Sequence, residues 1–293
     1  MNNSVTRFPG SKSGGHRHGD AIDDGVLEIS MESIEHALRE AIAREEFYLR
    51  YQPKISVKTG EVCGVEALLR WNSAEVGHVN PDIFIQVAEE SNLIYDIGAW
   101  VLDEACRQVT EWAQLGIDIS LAINISQAQF KDPEFISKFE AAFAKYPESR
   151  GRLEIEITET ALMVDVDQAI RLCRQIVTMD VEISIDDFGT GYSCLAQLTR
   201  LPVSKIKIDR SFVQNLENAD GSTIVRSILS MAHDLNKSVV AEGVETAGQL
   251  RFLSLHNCDE VQGFLFSQAV SAKDVTTFVQ MKMNHVGVNE VGA

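Results

Sequence analysis

The chain has 293 residues, 45% of them hydrophobic, enough for one large domain or two small ones with an ample core. No apolar run approaches the roughly 18–20 residues needed to span a bilayer, and the N-terminus lacks the apolar stretch of a secretory signal, so a cytoplasmic protein without a membrane segment is expected. A formal net charge of −17 argues against DNA, RNA or an anionic membrane as partner.

The same charge means that a phosphate-bearing substrate needs locally recruited cations, for which divalent metal is the obvious source. Five cysteines (Cys63, Cys106, Cys173, Cys194 and Cys258) are scattered without a C-x-x-C pair. An odd count and no secretion signal make them reduced packing residues rather than a disulfide framework.

Residues 1–28 are expected to be a disordered tail or linker, rich in Gly, Ser and charge. His16-Arg17-His18 lacks further ligands at suitable spacing and is read as solvated rather than as a metal site. From Ser30 the period turns helical, with Ile34, Leu38 and Ile42 recurring every four residues and Glu32 and Glu35 near the positive end of the dipole. The runs 47–57 and 61–71 follow, joined by Lys58-Thr59-Gly60, and so short a turn makes them pair antiparallel.

Helices are then predicted near 81–91 and 95–115, before a strand at 119–125. The alternation continues with helix 132–145, strand 153–158, helix 164–179 and strand 181–186. A helix from about 191, strand 204–208, helix 221–236, strand 238–242, helix 246–256, strand 259–262 and a closing helix at 272–284 complete it. Repeated β-α units imply parallel strands, and about eight fit a barrel. The predicted fold is α/β, a modified TIM-type (β/α)8 barrel with an antiparallel first strand, over 29–285, with 286–293 as a C-terminal tail.

The acids fall in a pattern. Glu66, Asn124, Glu156, Asp186, Asp187 and Glu242 lie at or near the ends of apolar-alternating runs. Along 119–126 the apolar set is Ile119, Leu121, Ile123 and Ile125, against Ser120, Ala122, Asn124 and Ser126. Val181, Ile183 and Ile185 likewise oppose Glu182, Ser184 and Asp186, and Ile206 and Ile208 oppose Lys205, Lys207 and Asp209. With a period of two, the greasy face meets the helix layer and the polar face lines the barrel, converging at its C-terminal mouth.

Brought together alone, these carboxylates would repel and take up protons. Lys207 and two divalent cations would offset them, and an all-oxygen donor set selects Mg²⁺ or Mn²⁺ over zinc. Two such ions suit metal-dependent phosphoryl transfer. Singly, any of these acids is as well read as a solvated strand end or a helix cap. Lys207 is either a surface lysine or, by its inward phase, a charge partner for water or phosphate. Arg70 fits a phosphate contact or an ion pair at the rim. Residues 186–193 (DDFGTGYS) form a β-α turn that could also gate the site.

Taken together, YQP at 51–53, Glu66-Ala67-Leu68, NIS at 124–126, EITET at 156–160, DDFGTGYS, KIKIDRSFV at 205–213, AEGVET at 241–246 and QGFLFS at 262–267 resemble the EAL-domain family of bacterial cyclic di-GMP phosphodiesterases. The likeness runs from about Phe47 to about Ser271. It implies hydrolysis of cyclic di-GMP to linear pGpG. By resemblance, Glu66, Asn124, Glu156 and Asp186 are ligands of one metal, and Asp186, Asp187 and Glu242 of the second. Glu66, Lys207 and Glu242 are the implied catalytic residues, Lys207 contacting the attacking water and Glu242 serving as its base.

Gln52, Arg70 and Gln262 are the implied substrate contacts. Glu159 is the implied anchor of the 187–193 loop and Glu245 a supporting acid. The resemblance also implies a homodimer; Ca²⁺, larger and less demanding of octahedral geometry, is expected to inhibit by supporting binding but not turnover. SQAV at 267–270 departs from the usual SRPL, and INISQAQF from the commoner NLSARQ run, neither at an implied ligand. No receiver, PAS or GGDEF motif is recognisable. The main alternative is an inactive EAL-type module that binds cyclic di-GMP without cutting it; an aldolase or glycosidase barrel would leave the Asn and the surplus acids without a role.

Overall fold

The structure is a computed structural model that describes residues 30–190 and 195–289. The calls on residues 1–28, on 191–194 and on Cys194 therefore lie outside the described residues. Contacts divide the chain into two units, one running to Phe47 and including Trp71–Leu93, the other comprising Tyr48–Arg70 and the chain from Ile94 onward.

The smaller unit holds helix α1 (Met31–Ala41), the end of β2 (Val62–Ser73), a short β3 (Gly77–Val79) and α2 (Pro81–Glu90). Ser30 starts α1 by accepting the Ser33 amide on its hydroxyl, and Ile34, Leu38, Ala37 and Ala41 are buried. Trp71 packs among Phe47 and Phe84 and donates its indole N–H to Glu46 at 2.9 Å. The three-residue β3, paired antiparallel to the end of β2, is too short for any period to reveal.

The larger unit is the barrel. Its strands are β1 (Phe47–Ser56), β2, β4 (Ser120–Ile125), β5 (Leu153–Thr158), β6 (Glu182–Phe188), β7 (Lys205–Ile208), β8 (Ser238–Ala241) and β9 (Glu260–Val261). They run in the order β1-β9-β8-β7-β6-β5-β4-β2, and a β1–β2 pairing closes the ring. From β4 to β9, and between β2 and β4, all pairs are parallel, whereas β1 lies antiparallel to β9. The fold expected from sequence is the one observed, including its reversed first strand.

The helices are α3 (Ile94–Gln114), α4 (Gln127–Phe130), α5 (Phe135–Lys145), α6 (Glu159–Met163), α7 (Val166–Val177) and α8 (Leu195–Leu198). After them come α9 (Arg210–Gln214), α10 (Ala219–Asp234), α11 (Ala247–Leu255) and α12 (Ala272–Asn289). None is long and apolar enough to cross a membrane, among the described residues.

Three short helices were not anticipated, and all sit just past a strand's C-terminal end. Ser126 caps α4 in a reciprocal capping box with Gln129, Thr158 caps α6, and Asp209 caps α9. Each cap stops a strand and turns the chain at the mouth; four or five residues are too few to carry a helical period. The closing helix runs to Asn289, beyond the expected end at 284 and past the 285 boundary, because Gly287 weakens a helix without terminating it.

Leu121, Ile123, Ile155, Ile183, Ile185, Ile206 and Ile208 are buried in one continuous core. Part of the polar set is buried too, with Glu154, Glu156, Ser184 and Lys207 at most 1% exposed, so the middles of these strands are covered on both faces, whereas Asn124 and Glu182 at strand ends are exposed. Cys63, Cys106, Cys173 and Cys258 are unpaired, and burial pushes the Cys106 thiol up to about 11. Replacing Ile155 with Ala should cost about 2–5 kcal/mol, the usual range for emptying a fully buried aliphatic site. Urea unfolding should show a lower midpoint at unchanged slope; an unshifted midpoint would mean that this layer does not carry the fold.

Candidate active site

At the mouth of the barrel a single ammonium group gathers four carboxylates. The Lys207 Nζ lies 2.5 Å from Glu156 Oε2, 2.7 Å from Glu242 Oε1, 3.0 Å from Asp186 Oδ1 and 3.9 Å from Glu66 Oε2. These residues stand on β7, β5, the end of β8, β6 and β2, so strand alternation and register bring them together. The inward phase of Lys207 read from sequence is what the structure shows, and it is not a surface lysine.

Glu66 is further fixed by amides. Its Oε1 accepts from Asn124 Nδ2 at 2.7 Å, and its Oε2 accepts from Gln262 Nε2 at 2.6 Å. Gln262 also donates to Gln52 Oε1 at 3.0 Å, while Gln52 donates to the Ser267 carbonyl at 3.2 Å. Gln262 is 4% exposed, yet its own Oε1 is buried with no hydrogen-bond donor among the described residues. A buried acceptor left in that state costs free energy that a ligand N–H would recover.

Asp186 and Asp187 pose a geometric problem, since neighbours on a strand point to opposite faces. The β6–β7 register breaks between Ile185 and Phe188, and Asp187 adopts a left-handed φ of 53°. This bulge turns both carboxylates the same way, and oxygens of Asp186, Asp187 and Glu242 lie within 4.8 Å of one another. Just beyond, Gly189 at φ 96° donates its amide to Glu159 Oε2 at 3.1 Å. A Cβ at Gly189 would also meet the Phe212 ring at 3.0 Å, so only glycine suits this turn.

Two expected residues stand apart. Arg70 donates to the carbonyl of Leu69 at 2.8 Å and forms no ion pair among the described residues, so it is not tied to an acid at the rim. Burial lowers its pKa. Glu245 is exposed; its amide N–H donates to Gln249, and its carboxylate has no hydrogen bond or ion pair among the described residues.

Sequence reasoning missed a second tier of charge, below the mouth. Lys54 on β1, fully buried, lies 2.7 Å from Glu156 Oε1 and 3.1 Å from Glu154 Oε1. Lys205 contacts Glu154 Oε2 at 2.9 Å and Glu260 Oε1 at 3.4 Å. Burial opposes ionisation of Glu154, but Lys54 and Lys205 hold its carboxyl down to about 2. The period of two was the available signal, because Lys54 follows Gln52 and Glu154 precedes Glu156 by two residues.

The mouth is balanced differently. Burial would raise Glu66, but Lys207, Lys54 and the Gln262 amide together keep the carboxyl below its ordinary range. Burial works against a charge on Lys207 as well, yet Glu156 and the other acids keep its pKa well above the usual lysine value. Burial, aided by Asp186, raises Asp187, and burial pushes Glu242 up to about 8 despite Lys207. One ammonium is thus insufficient for this ring. Hard, all-oxygen donors with surplus negative charge are a fitting receptacle for divalent cations.

A family model described as the EAL domain matches residues 35–269. MucR of Pseudomonas aeruginosa, a bifunctional diguanylate cyclase/cyclic di-GMP phosphodiesterase, is 42% identical over 246 residues, which is 83% of this chain and 36% of MucR. PdeR of Escherichia coli, a cyclic di-GMP phosphodiesterase, is 38% identical over 236 residues, 80% of this chain and 36% of PdeR. The chain thus spans about a third of the length of the curated relatives it matches.

Among solved structures, the MucR phosphodiesterase in complex with c-di-GMP superposes with a TM-score of 0.80 at 41% identity, covering 83% of this chain and 99% of that one. The FimX EAL domain from Pseudomonas aeruginosa bound to c-di-GMP gives 0.76 at 25% identity, over 82% of this chain and 97% of that one.

The raised Glu242 gives a pH test. Its folded pKa lies above the unfolded value, so its cost to the metal-free fold is absent below pH 4.5 and grows until it is ionised above about 8. Manganese binding at pH 7 should therefore release protons, read with an indicator dye in weak buffer, and apparent affinity should rise as pH climbs toward about 8. Binding without proton release, at an affinity flat with pH, would remove Glu242 from the ligand set.

Proposed function

This chain belongs to the EAL domain family, and from that premise we propose that it hydrolyses cyclic di-GMP to linear pGpG using two divalent cations, Mg²⁺ or Mn²⁺. The observation that carries the reading is the convergence of Glu66, Glu156, Asp186 and Glu242 on Lys207, with Asp187 turned into the same cluster. Glu66, Asn124, Glu156 and Asp186 would hold one ion, and Asp186, Asp187 and Glu242 the other. Bound there, such ions lower the pKa of water and polarise a phosphoryl oxygen.

The chain's own groups have separable tasks. Lys207 orients the attacking water and stabilises charge that grows on the phosphoryl oxygens. Glu242 accepts the water proton as the new P–O bond forms and the bond to the ribose 3′ oxygen breaks, that oxygen leaving as a hydroxyl once it takes up a proton. Gln262, with its unsatisfied carbonyl oxygen, fits a ligand donor, and Gln52 beside it steadies that amide. Arg70, without an acid partner among the described residues, is available to a phosphate. Glu159, bonded to Gly189, holds the start of the 187–193 loop. Glu245, exposed and without a side-chain partner among the described residues, is given no task, and a homodimer is the proposed assembly.

Purified protein with Mg²⁺ or Mn²⁺ should convert cyclic di-GMP to pGpG, resolved by liquid chromatography, and a chelator should stop it. Glu66→Ala should abolish turnover. Lys207→Ala should lower kcat by roughly 10²–10³ with a smaller loss of binding, the usual size for a lost charge-stabilising donor. Ca²⁺, less demanding of octahedral geometry, should support binding and poorly support turnover. Tight binding of cyclic di-GMP with no product under any of these conditions would identify a receptor module and overturn the enzymatic reading.

A further inference from the structure

Inside the barrel, charges alternate from floor to mouth in the order Lys205, Glu154, Lys54, Glu156, Lys207. Each carboxylate in this chain gives its two oxygens to two different lysines. Glu156 Oε1 is bound by Lys54 at 2.7 Å, and Oε2 by Lys207 at 2.5 Å. Lys54 makes no ion pair with Glu66, Asp186, Asp187 or Glu242, so its direct contact with the mouth is Glu156, while at longer range its charge also helps to lower Glu66. The terminal torsion of a glutamate is soft, and a carboxylate held by one end only would turn freely about it.

We propose that Lys54 is a positioning residue, pinning Glu156 Oε1 to the barrel floor so that Oε2 alone is presented to the cluster at the mouth. The inference rests on the metal-dependent reading above. Lys54 itself is set by Glu154, which Lys205 steadies through its other oxygen. Partners that orient a ligand without touching the metal commonly govern affinity as strongly as the ligands do.

Removing Lys54 alone would strand a buried negative charge and risk the fold, so the informative variant is Lys54→Met/Glu154→Gln, which deletes one charge of each sign. Its comparator is Glu154→Gln, which keeps the Lys54–Glu156 contact. Manganese affinity is read from the free-ion electron paramagnetic resonance signal, alongside thermal midpoint and steady-state kinetics on cyclic di-GMP. The double variant should stay folded near the comparator's midpoint, yet bind manganese about 10–100-fold more weakly, with kcat falling more than KM changes. Glu154→Gln should bind close to wild type.

Equal manganese affinity in the two variants would overturn the inference. A measurement on the unaltered chain guards against misfolding: in crystals with manganese, Glu156 Oε1 should remain on Lys54 and Oε2 face the ion. Both oxygens on the ion, or Lys54 turned away, would also overturn it. Wild-type protein that takes up no manganese would instead bring down the metal-dependent reading, and this one with it.

Discussion

Carboxylates enclosed in a barrel must be neutralised, and this molecule does so in two ways. On the floor, Glu154 and Glu260 are matched from within by Lys54 and Lys205. At the mouth, Lys207 faces Glu66, Glu156, Asp186 and Glu242, with Asp187 close by. On the floor each of these acids meets a lysine, and Lys205 reaches Glu182 as well; the mouth is short of positive charge. Burial, with the neighbouring acids, raises Glu242 and Asp187, and the shortage makes cations the natural complement of the site.

The backbone supplies what side-chain identity alone would not. The register break in β6 puts two adjacent aspartates on one side, which a regular strand forbids. Capped short helices after β4, β5 and β7 end those strands at a common level and hold Asn124, Glu156 and Lys207 near it. The reversed β1 brings Gln52 to the mouth and Lys54 toward the floor on one inward face. An antiparallel first strand is therefore part of how the site is built.

Much of this was legible in the amino-acid sequence. Alternation identified which face of β4, β6 and β7 turns inward, and the tight turn at Lys58-Thr59-Gly60 revealed the reversed strand. Where it fell short, the reasons are physical. Short helices such as α6 carry no period, and their signature is only the cap at Thr158. Lys54 and Glu154 were overlooked because a lysine in a strand reads as an edge residue until the ring closes round it. The orientation of Asp187 depends on a bulge that no composition marks. Arg70 and Glu245 show the converse: motif position is visible in sequence, but engagement with neighbours is a property of the folded surface.

The central claim is that the mouth needs more positive charge than Lys207 supplies. Equilibrium dialysis against manganese at pH 8, with retained metal counted by atomic absorption, addresses it directly. Two ions should be held per chain, with fewer after Asp186→Asn, the side chain shared between both proposed positions. A chain that emerges from dialysis carrying no manganese would show that the ring of acids is content with its lysine, contradicting the account.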